Sequence, residues 1–139
     1  MTVKLASLKA DLKREEKGDW IEYPDWPGVA FNVSSLLVPA YTTARDLAMQ
    51  KLARQYKGKP VPGVVMSAEL GKLYARHVLH DWRGLDVAYS SDKAAEILVD
   101  PEYRNVVAAV EWCAARVSEI DVEFIEDAAK NSVRPSAGV

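Results

Sequence analysis

The stretch that decides the fold is DWIEYPDWPGVAFNVS, residues 19–34. Residues 24–28 form a turn cluster with two prolines and a glycine, and the tryptophan, isoleucine and tyrosine before them favour an extended chain. After the turn, Val29, Phe31 and Val33 alternate with small or polar residues, the period-2 pattern of a half-buried strand. The sequence therefore predicts a β-hairpin at about residues 19–34. An isolated hairpin is marginal in water, so it must pack on helices or pair with another chain.

Helical patterns flank the hairpin on both sides. Before it, leucines spaced by three and four residues predict an amphipathic helix over residues 3–17. After it, a helix begins at Pro39, because proline lacks the N–H that would be unsatisfied in the first turn. A further helix is predicted over residues 67–82, and a brief one follows Ser90 or Ser91, either of which can cap it.

The last predicted helix begins at Asp100, Pro101 and Glu102, which combine a cap, a first-turn proline and an acid. The pattern predicts that it continues to about Asp127. Its apolar residues alternate by three and four through three heptads, which is coiled-coil spacing. They are Tyr103, Val106, Val110, Cys113, Val117, Ile120 and Phe124. This stripe either faces the core of its own domain or pairs helices between subunits.

Together these patterns predict a mainly α fold, with about five helices and one β-hairpin near the N-terminus. The predicted organisation is a single helical domain over residues 1–130, with a flexible C-terminal tail over residues 131–139. The tail is polar and contains a proline, so we expect it to fray. With 139 residues the chain can bury a core without disulfides or metals.

Composition excludes several classes of protein. Hydrophobic residues make up 49%, which excludes a wholly disordered chain. The net charge of −2 argues against a strongly basic nucleic-acid binder. No apolar run approaches the roughly 18 residues of a membrane span, so neither a span nor a signal peptide is expected. Cys113, the single cysteine, has no partner for an internal disulfide and is predicted to be a buried thiol. These features favour a small soluble cytosolic module.

One cluster has metal-ligand character, namely His77, His80 and Asp81. On a helix, residues three apart share a face, so the two imidazoles could converge on a cation. The sequence offers no third histidine and no second cysteine, and two partly buried histidines bonded to neighbours are the alternative. It also contains no phosphate loop and no nucleophile elbow. We therefore predict a protein that is not an enzyme and has no catalytic, cofactor-binding or metal residues.

Candidate interaction residues come from aromatic and charge patterns. Trp20 and Trp26 flank the hairpin turn, where each either anchors a partner or packs on the helices. Residues 45–59 hold five bases and one acid, while residues 119–127 hold five acids and no base. These blocks are either solvated faces or complementary surfaces that guide self-association or partner docking. The residues predicted for partner binding or self-association are Trp20, Trp26, Val106, Val110, Val117 and Phe124.

A family resemblance is strongest between Val78 and Tyr103. The residues that carry it are VLHDWRGL at 78–85, YS at 89–90 and AAEILVDPEY at 94–103, preceded by KGDW at 17–20, the hairpin, and PAY at 39–41. In order and spacing, this run resembles the tail assembly chaperones of long-tailed, siphovirus-type bacteriophages and prophages.

The resemblance implies a mainly helical protein that binds and solubilises the tape measure protein. It also implies that a longer frameshifted form recruits the tail tube protein, that the chain is a homo-oligomer, and that it has no cofactor. Such a protein acts in the host bacterial cytoplasm and is not expected in the mature virion, and it needs no nucleic-acid or membrane partner. Two other classes stay open: a structural head–tail joining protein of a phage, and a small metal-dependent enzyme using His77, His80 and an acid such as Asp81.

Overall fold

The structure, a computed structural model, describes residues 1–126. These residues form two compact units. The ribbon unit consists of residues 1–11 and 119–126, and the main unit is Leu12–Ser118. The predicted flexible tail, residues 131–139, lies outside the described residues.

Residues 1–126 contain five α-helices and five β-strands. In chain order they are β1 (Thr2–Val3), α1 (Leu12–Lys17), β2 (Asp19–Glu22), β3 (Ala30–Val33), α2 (Pro39–Gln55), α3 (Gly63–His77), β4 (Leu79–Arg83), α4 (Ser91–Val99), α5 (Arg104–Val117) and β5 (Phe124–Ile125). Two short 3₁₀ helices occupy Leu5–Leu8 and Pro101–Tyr103.

The main unit is built on a three-stranded antiparallel sheet in the order β2-β3-β4. The predicted hairpin is confirmed, because β2 pairs with β3 with Ile21 opposite Phe31. On the other side of β3, Phe31 lies opposite Trp82 of β4. Ala30, Phe31 and Val33 of this central strand are all buried, so most of the strand lies in the core.

The predicted fold class, mainly α with one hairpin, is therefore wrong. The chain is a mixed α/β protein with a three-stranded sheet and a separate two-stranded sheet. The helix predicted over residues 67–82 instead runs from Gly63 to His77 and is followed by β4. Within β4 the apolar Leu79 and Trp82 point into the core at a spacing of three residues. That spacing also fits a helix, so the local pattern alone did not distinguish the two structures.

Helices cover the sheet and complete the core. Leu73 and Tyr74 of α3, Leu98 of α4, and Val110 and Cys113 of α5 are buried in one cluster with the sheet residues. The predicted buried thiol is confirmed, and the Cys113 Sγ lies 3.7 Å from the backbone oxygen of Ile21 on β2. This contact places α5 directly against the hairpin.

Several predicted helix boundaries are confirmed. α2 begins at Pro39, and the side chain of Ser90 caps α4 by accepting a hydrogen bond from the backbone N–H of Lys93. Gly18 has a φ of +89°, the left-handed conformation that ends α1.

Two predicted helices are shorter than their patterns suggested. The helix predicted over residues 3–17 is α-helical only at Leu12–Lys17. The helix predicted from Asp100 to about Asp127 is helical from Arg104 to Val117, and Asp100 caps the 3₁₀ turn before it. Beyond Ser118 the heptad pattern continues in the sequence, but Phe124 belongs to a strand.

In the ribbon unit, β1 and β5 form a two-stranded antiparallel sheet. Val3 lies opposite Phe124, and the Lys4 backbone N–H donates a 2.8 Å hydrogen bond to the carbonyl oxygen of Glu123. The backbone N–H of Glu123 in turn donates to the Ser7 hydroxyl oxygen at 2.9 Å. These bonds tie the 3₁₀ segment at Leu5–Leu8 to the ribbon.

Candidate interaction surfaces

The ribbon unit exposes an unusual number of large apolar side chains. The exposed ones are Met1, Val3, Leu5, Leu8, Ile120, Val122, Phe124 and Ile125. Val3 and Phe124 lie opposite each other and therefore share one face of the ribbon, where Phe124 is 57% exposed. A concentration of exposed apolar side chains in one small unit favours an interaction site.

The same unit carries the acidic block of the chain. Residues 119–126 have the sequence EIDVEFIE, in which every residue is exposed. The acids were predicted to end a long helix, but the helix ends at Val117 and all of them follow it. Glu123 forms an ion pair with Lys4 at 3.9 Å, and both side chains are more than half exposed. Such a pair contributes little to stability.

Three of the five bases of residues 45–59 lie on α2, which is largely solvent-exposed. Its buried residues are Tyr41 and Leu52. Leu47 is 61% exposed, and Lys51 and Arg54 are exposed on the same ridge, because residues three and four apart share a helix face. The outer face of α2 thus combines one leucine with two cations.

A groove of about 640 Å³ lies between α3, β4 and α4. Its floor includes the buried side chains of Leu73 and Leu79. The remaining lining residues are Glu69, Lys72, Ala75, Arg76, His80, Tyr89, Ser91 and Ala95. Lys72 lies 3.9 Å from Glu69. The groove therefore has an apolar floor and a mainly cationic rim.

His80 is bonded to neighbours and does not share a helix face with His77. His77 is the last residue of α3, whereas His80 lies on β4. The His80 Nε2 is 2.5 Å from the Ser34 hydroxyl oxygen, which is also 3.0 Å from the carbonyl oxygen of Glu16. Partial burial of the ring lowers the pKa of His80. The helix-face geometry proposed for a cation is therefore absent.

The described residues contain no group of three or more His, Cys, Asp or Glu side chains placed to hold a metal ion. Asp81, the third member of the predicted cluster, accepts a 2.8 Å hydrogen bond from the backbone N–H of Trp82. This bond is local to β4.

The two hairpin tryptophans are partly buried and make contacts within the main unit. Trp20 stacks under the guanidinium of Arg83, whose carbon lies 4.5 Å from the ring centroid. Trp26 packs edge-on against Tyr23 with ring centroids 4.8 Å apart. Tyr23 in turn contacts Trp112 of α5 at 5.7 Å. These contacts place both tryptophans in the packing of the hairpin, with part of each still accessible.

The predicted stripe of α5 faces the core of its own unit. Val110 and Val117 are buried, and Val106 is half-buried against the core. Phe124, the remaining predicted site residue, belongs to the ribbon unit. Of the six predicted interaction residues, Phe124 is thus the one that is largely exposed.

Sequence reasoning missed the groove residues and most of the ribbon. Leu73 and Arg76 lie within the helix predicted over residues 67–82, but the groove also needs β4, which was interpreted as part of that helix. The ribbon was detectable from the alternation of acids and apolar residues in EIDVEFIE, a period-2 pattern. The heptad spacing of the same apolar residues obscured it.

No helix in the described part of the chain combines the length and apolar character needed to cross a bilayer.

Comparisons with known proteins identify the family of the chain. No curated protein and no solved structure matches the sequence. The sequence model of the family described as YdaY prophage protein matches residues 36–131, which is more than half of the chain. The chain therefore belongs to the YdaY prophage protein family.

Proposed function

We propose that this prophage protein is a tail assembly chaperone. In this proposal it is not an enzyme; it binds the tape measure protein in the host cytoplasm, keeps it soluble, and helps recruit tail tube subunits through a longer frameshifted form. It acts as a homo-oligomer and leaves before the virion is complete. Membership of a prophage family supports the phage setting. The order of features from Lys17 to Tyr103 supports the more specific role.

The groove between α3, β4 and α4 is the observation that carries the proposal. Leu73 and Leu79 give it an apolar floor, and Lys72 and Arg76 line it as cations. An amphipathic helix that lays its apolar face in a groove is a common mode of recognition. With this rim, the groove suits a helix whose apolar stripe is flanked by acids.

The dimensions of the groove suit short, repeated contacts. Its α3 wall runs from Glu69 to Arg76, which is two helical turns or about 11 Å. One copy therefore covers only a short piece of a long helical client. Many copies along such a client give high overall avidity from modest individual contacts, and this allows the chaperone to be displaced when the tail tube forms.

Co-expression with the tape measure protein of the same prophage tests this function. We expect the tape measure protein to be insoluble alone and soluble and co-purified with the chain. Ala95→Glu should reduce the co-purified amount at least severalfold, because Ala95 is exposed in the groove and an added acid there opposes an acidic client. Ala108→Glu is the matched control, an exposed alanine of α5 that does not line the groove.

Two results would contradict the proposal. If the client stays insoluble with the wild-type chain, the chaperone function is wrong. If the chain is found in stoichiometric amounts in purified virions, a head–tail joining protein becomes the better interpretation. If Ala108→Glu lowers the amount of co-purified client as much as Ala95→Glu does, the groove is not the client site.

A further inference from the structure

The outer face of α2 is a basic surface with a leucine in its middle. Leu47, Lys51 and Arg54 follow each other at spacings of four and three residues, and all three are exposed. We call them the basic ridge. Lys57 and Lys59 continue the positive charge beyond the end of the helix. Within residues 1–126, neither Lys51 nor Arg54 is in an ion pair.

Residues 119–126 form a surface of the opposite character, which we call the acidic strip. Its four acids alternate or nearly alternate with Ile120, Val122, Phe124 and Ile125, and every residue is exposed. Asp121 and Glu126 are in no ion pair among the described residues. The strip thus offers both anions and apolar side chains to a partner.

The two surfaces complement each other in charge and in apolar content. The segment 45–59 has five bases and one acid, and the strip has four acids and no base, so their net charges are equal and opposite. Phe124 is 57% exposed and Leu47 is 61% exposed, so each surface can bury an apolar side chain against the other. A small apolar centre with a charged rim is the usual anatomy of a reversible protein interface.

We propose that the acidic strip of one copy docks on the basic ridge of a second copy, so that the chain assembles head to tail. The two-stranded ribbon that carries the strip gains cover in this way, which matters because a two-stranded sheet alone is marginally stable. Such a heterologous contact uses a different surface on each partner and closes into a ring or extends as a filament. The inference rests on the self-association part of the proposed function and does not depend on the client.

Two charge reversals test the interface. Lys51→Glu with Arg54→Glu reverses both charges of the ridge, and Asp121→Lys with Glu126→Lys reverses two of the four charges of the strip. Size-exclusion chromatography with light scattering should show a wild-type oligomer whose mass falls as salt is raised, because exposed charge pairs are screened. Each reversed variant alone should raise the dissociation constant at least about tenfold, since like charges then meet across the interface.

Mixing the two reversed variants gives the sharpest result. The strip of the ridge variant and the ridge of the strip variant are both intact, so an equimolar mixture should associate although each variant alone is monomeric. Lys13→Glu with Arg104→Glu changes the net charge as the ridge variant does, at exposed bases outside the ridge, and should leave the oligomer unchanged.

Three results would overturn the inference: a monomeric wild type, an oligomer that neither reversal affects, or variants that stay monomeric after mixing. Circular dichroism of each variant confirms that it is folded. Client solubilisation is measured in parallel with the same variants. If assembly behaves as expected while the client stays insoluble, the proposed chaperone function fails and the interface remains.

Discussion

The hydroxyl of Tyr74 on α3 donates a 2.6 Å hydrogen bond to Oε2 of Glu111 on α5. Tyr74 is 4% exposed, and burial together with this bond raises the pKa of its phenol, so the tyrosine stays protonated as the donor. The bond therefore links α3 directly to α5.

Tyr74→Phe should destabilise the protein by about 1.5–3 kcal/mol, the range for a hydrogen bond to a carboxylate. Urea denaturation followed by circular dichroism measures the free energy of unfolding. Tyr103→Phe is the matched control, because Tyr103 is 47% exposed and should change stability by less than about 0.5 kcal/mol. Equal effects of the two substitutions would contradict the assigned role of the Tyr74 bond.

Gly71 allows α3 and α4 to approach closely. A Cβ added at Gly71 would lie 2.0 Å from the carbonyl oxygen of Leu98, a backbone atom that cannot simply rotate away. Gly71→Ala should therefore lower the free energy of unfolding by at least about 2 kcal/mol, although alanine is otherwise the better helix former.

The control for this clash is Gly63→Ala, at the first residue of α3. A Cβ there would meet no atom within 4 Å, so this substitution should be neutral or stabilising. Both variants are compared by thermal unfolding. A Gly71→Ala protein as stable as wild type would show that the helices can separate without cost.

Because of His80, we expect the free energy of unfolding to depend on pH in weakly acidic solution. Its pKa in the folded chain is lowered by burial, so protonation favours the unfolded state, whose histidine titrates near 6.5. The neutral ring contributes its full share to the free energy of unfolding above about pH 6.5. This share is lost as the pH falls toward the lower pKa of the folded chain. Urea denaturation between pH 7.5 and 5 should show this decline.

His80→Gln should flatten the pH dependence in that window, because the glutamine amide reaches about as far as the Nε2 atom that bonds to Ser34 but does not titrate. Asp19 does not affect the measurement in this pH range. A hydrogen bond from Arg14 lowers the pKa of its carboxyl below the ordinary 3.8, so it titrates in more acid solution. If the pH dependence of the free energy of unfolding is unchanged in His80→Gln, other groups cause the decline.

Cys113 should be inert toward thiol reagents in the folded protein. Burial raises the pKa of its thiol to about 11, so at pH 8 only about one molecule in a thousand carries the reactive thiolate. A disulfide reagent should react slowly with the native chain and rapidly in urea, with one thiol per chain. Rapid reaction of the native chain would show that α5 opens from the hairpin.

Local sequence patterns predicted those parts of the fold that depend on local chemistry. The turn cluster at residues 24–28 and the alternation in Ala30–Val33 predicted the hairpin, and Pro39 and Ser90 marked true helix starts. β4 was missed because its pairing with β3 joins residues about 50 apart, and its two inward residues also fit a helix. Strand pairing over such a distance leaves no local signature.

The candidate surfaces were predictable only in part. Exposed Phe124 was among the predicted interaction residues, and both charge blocks were visible, but nothing local showed that α5 ends at Val117. The groove could not be predicted, since it requires the placement of α3, β4 and α4 together. Val110 and Val117 illustrate the limit: an apolar stripe has the same sequence whether it faces its own core or a partner.

The pairing of β1 with β5 has a consequence for the timing of synthesis. The ribosome makes Thr2 and Val3 more than 120 residues before it makes their partners, Phe124 and Ile125. At usual translation speeds that interval is roughly 6–25 s, during which the first strand has no partner in its own chain. The ribbon is therefore the last part of the described chain to form, and the surface that carries the acidic strip becomes available only when synthesis of the described residues is complete.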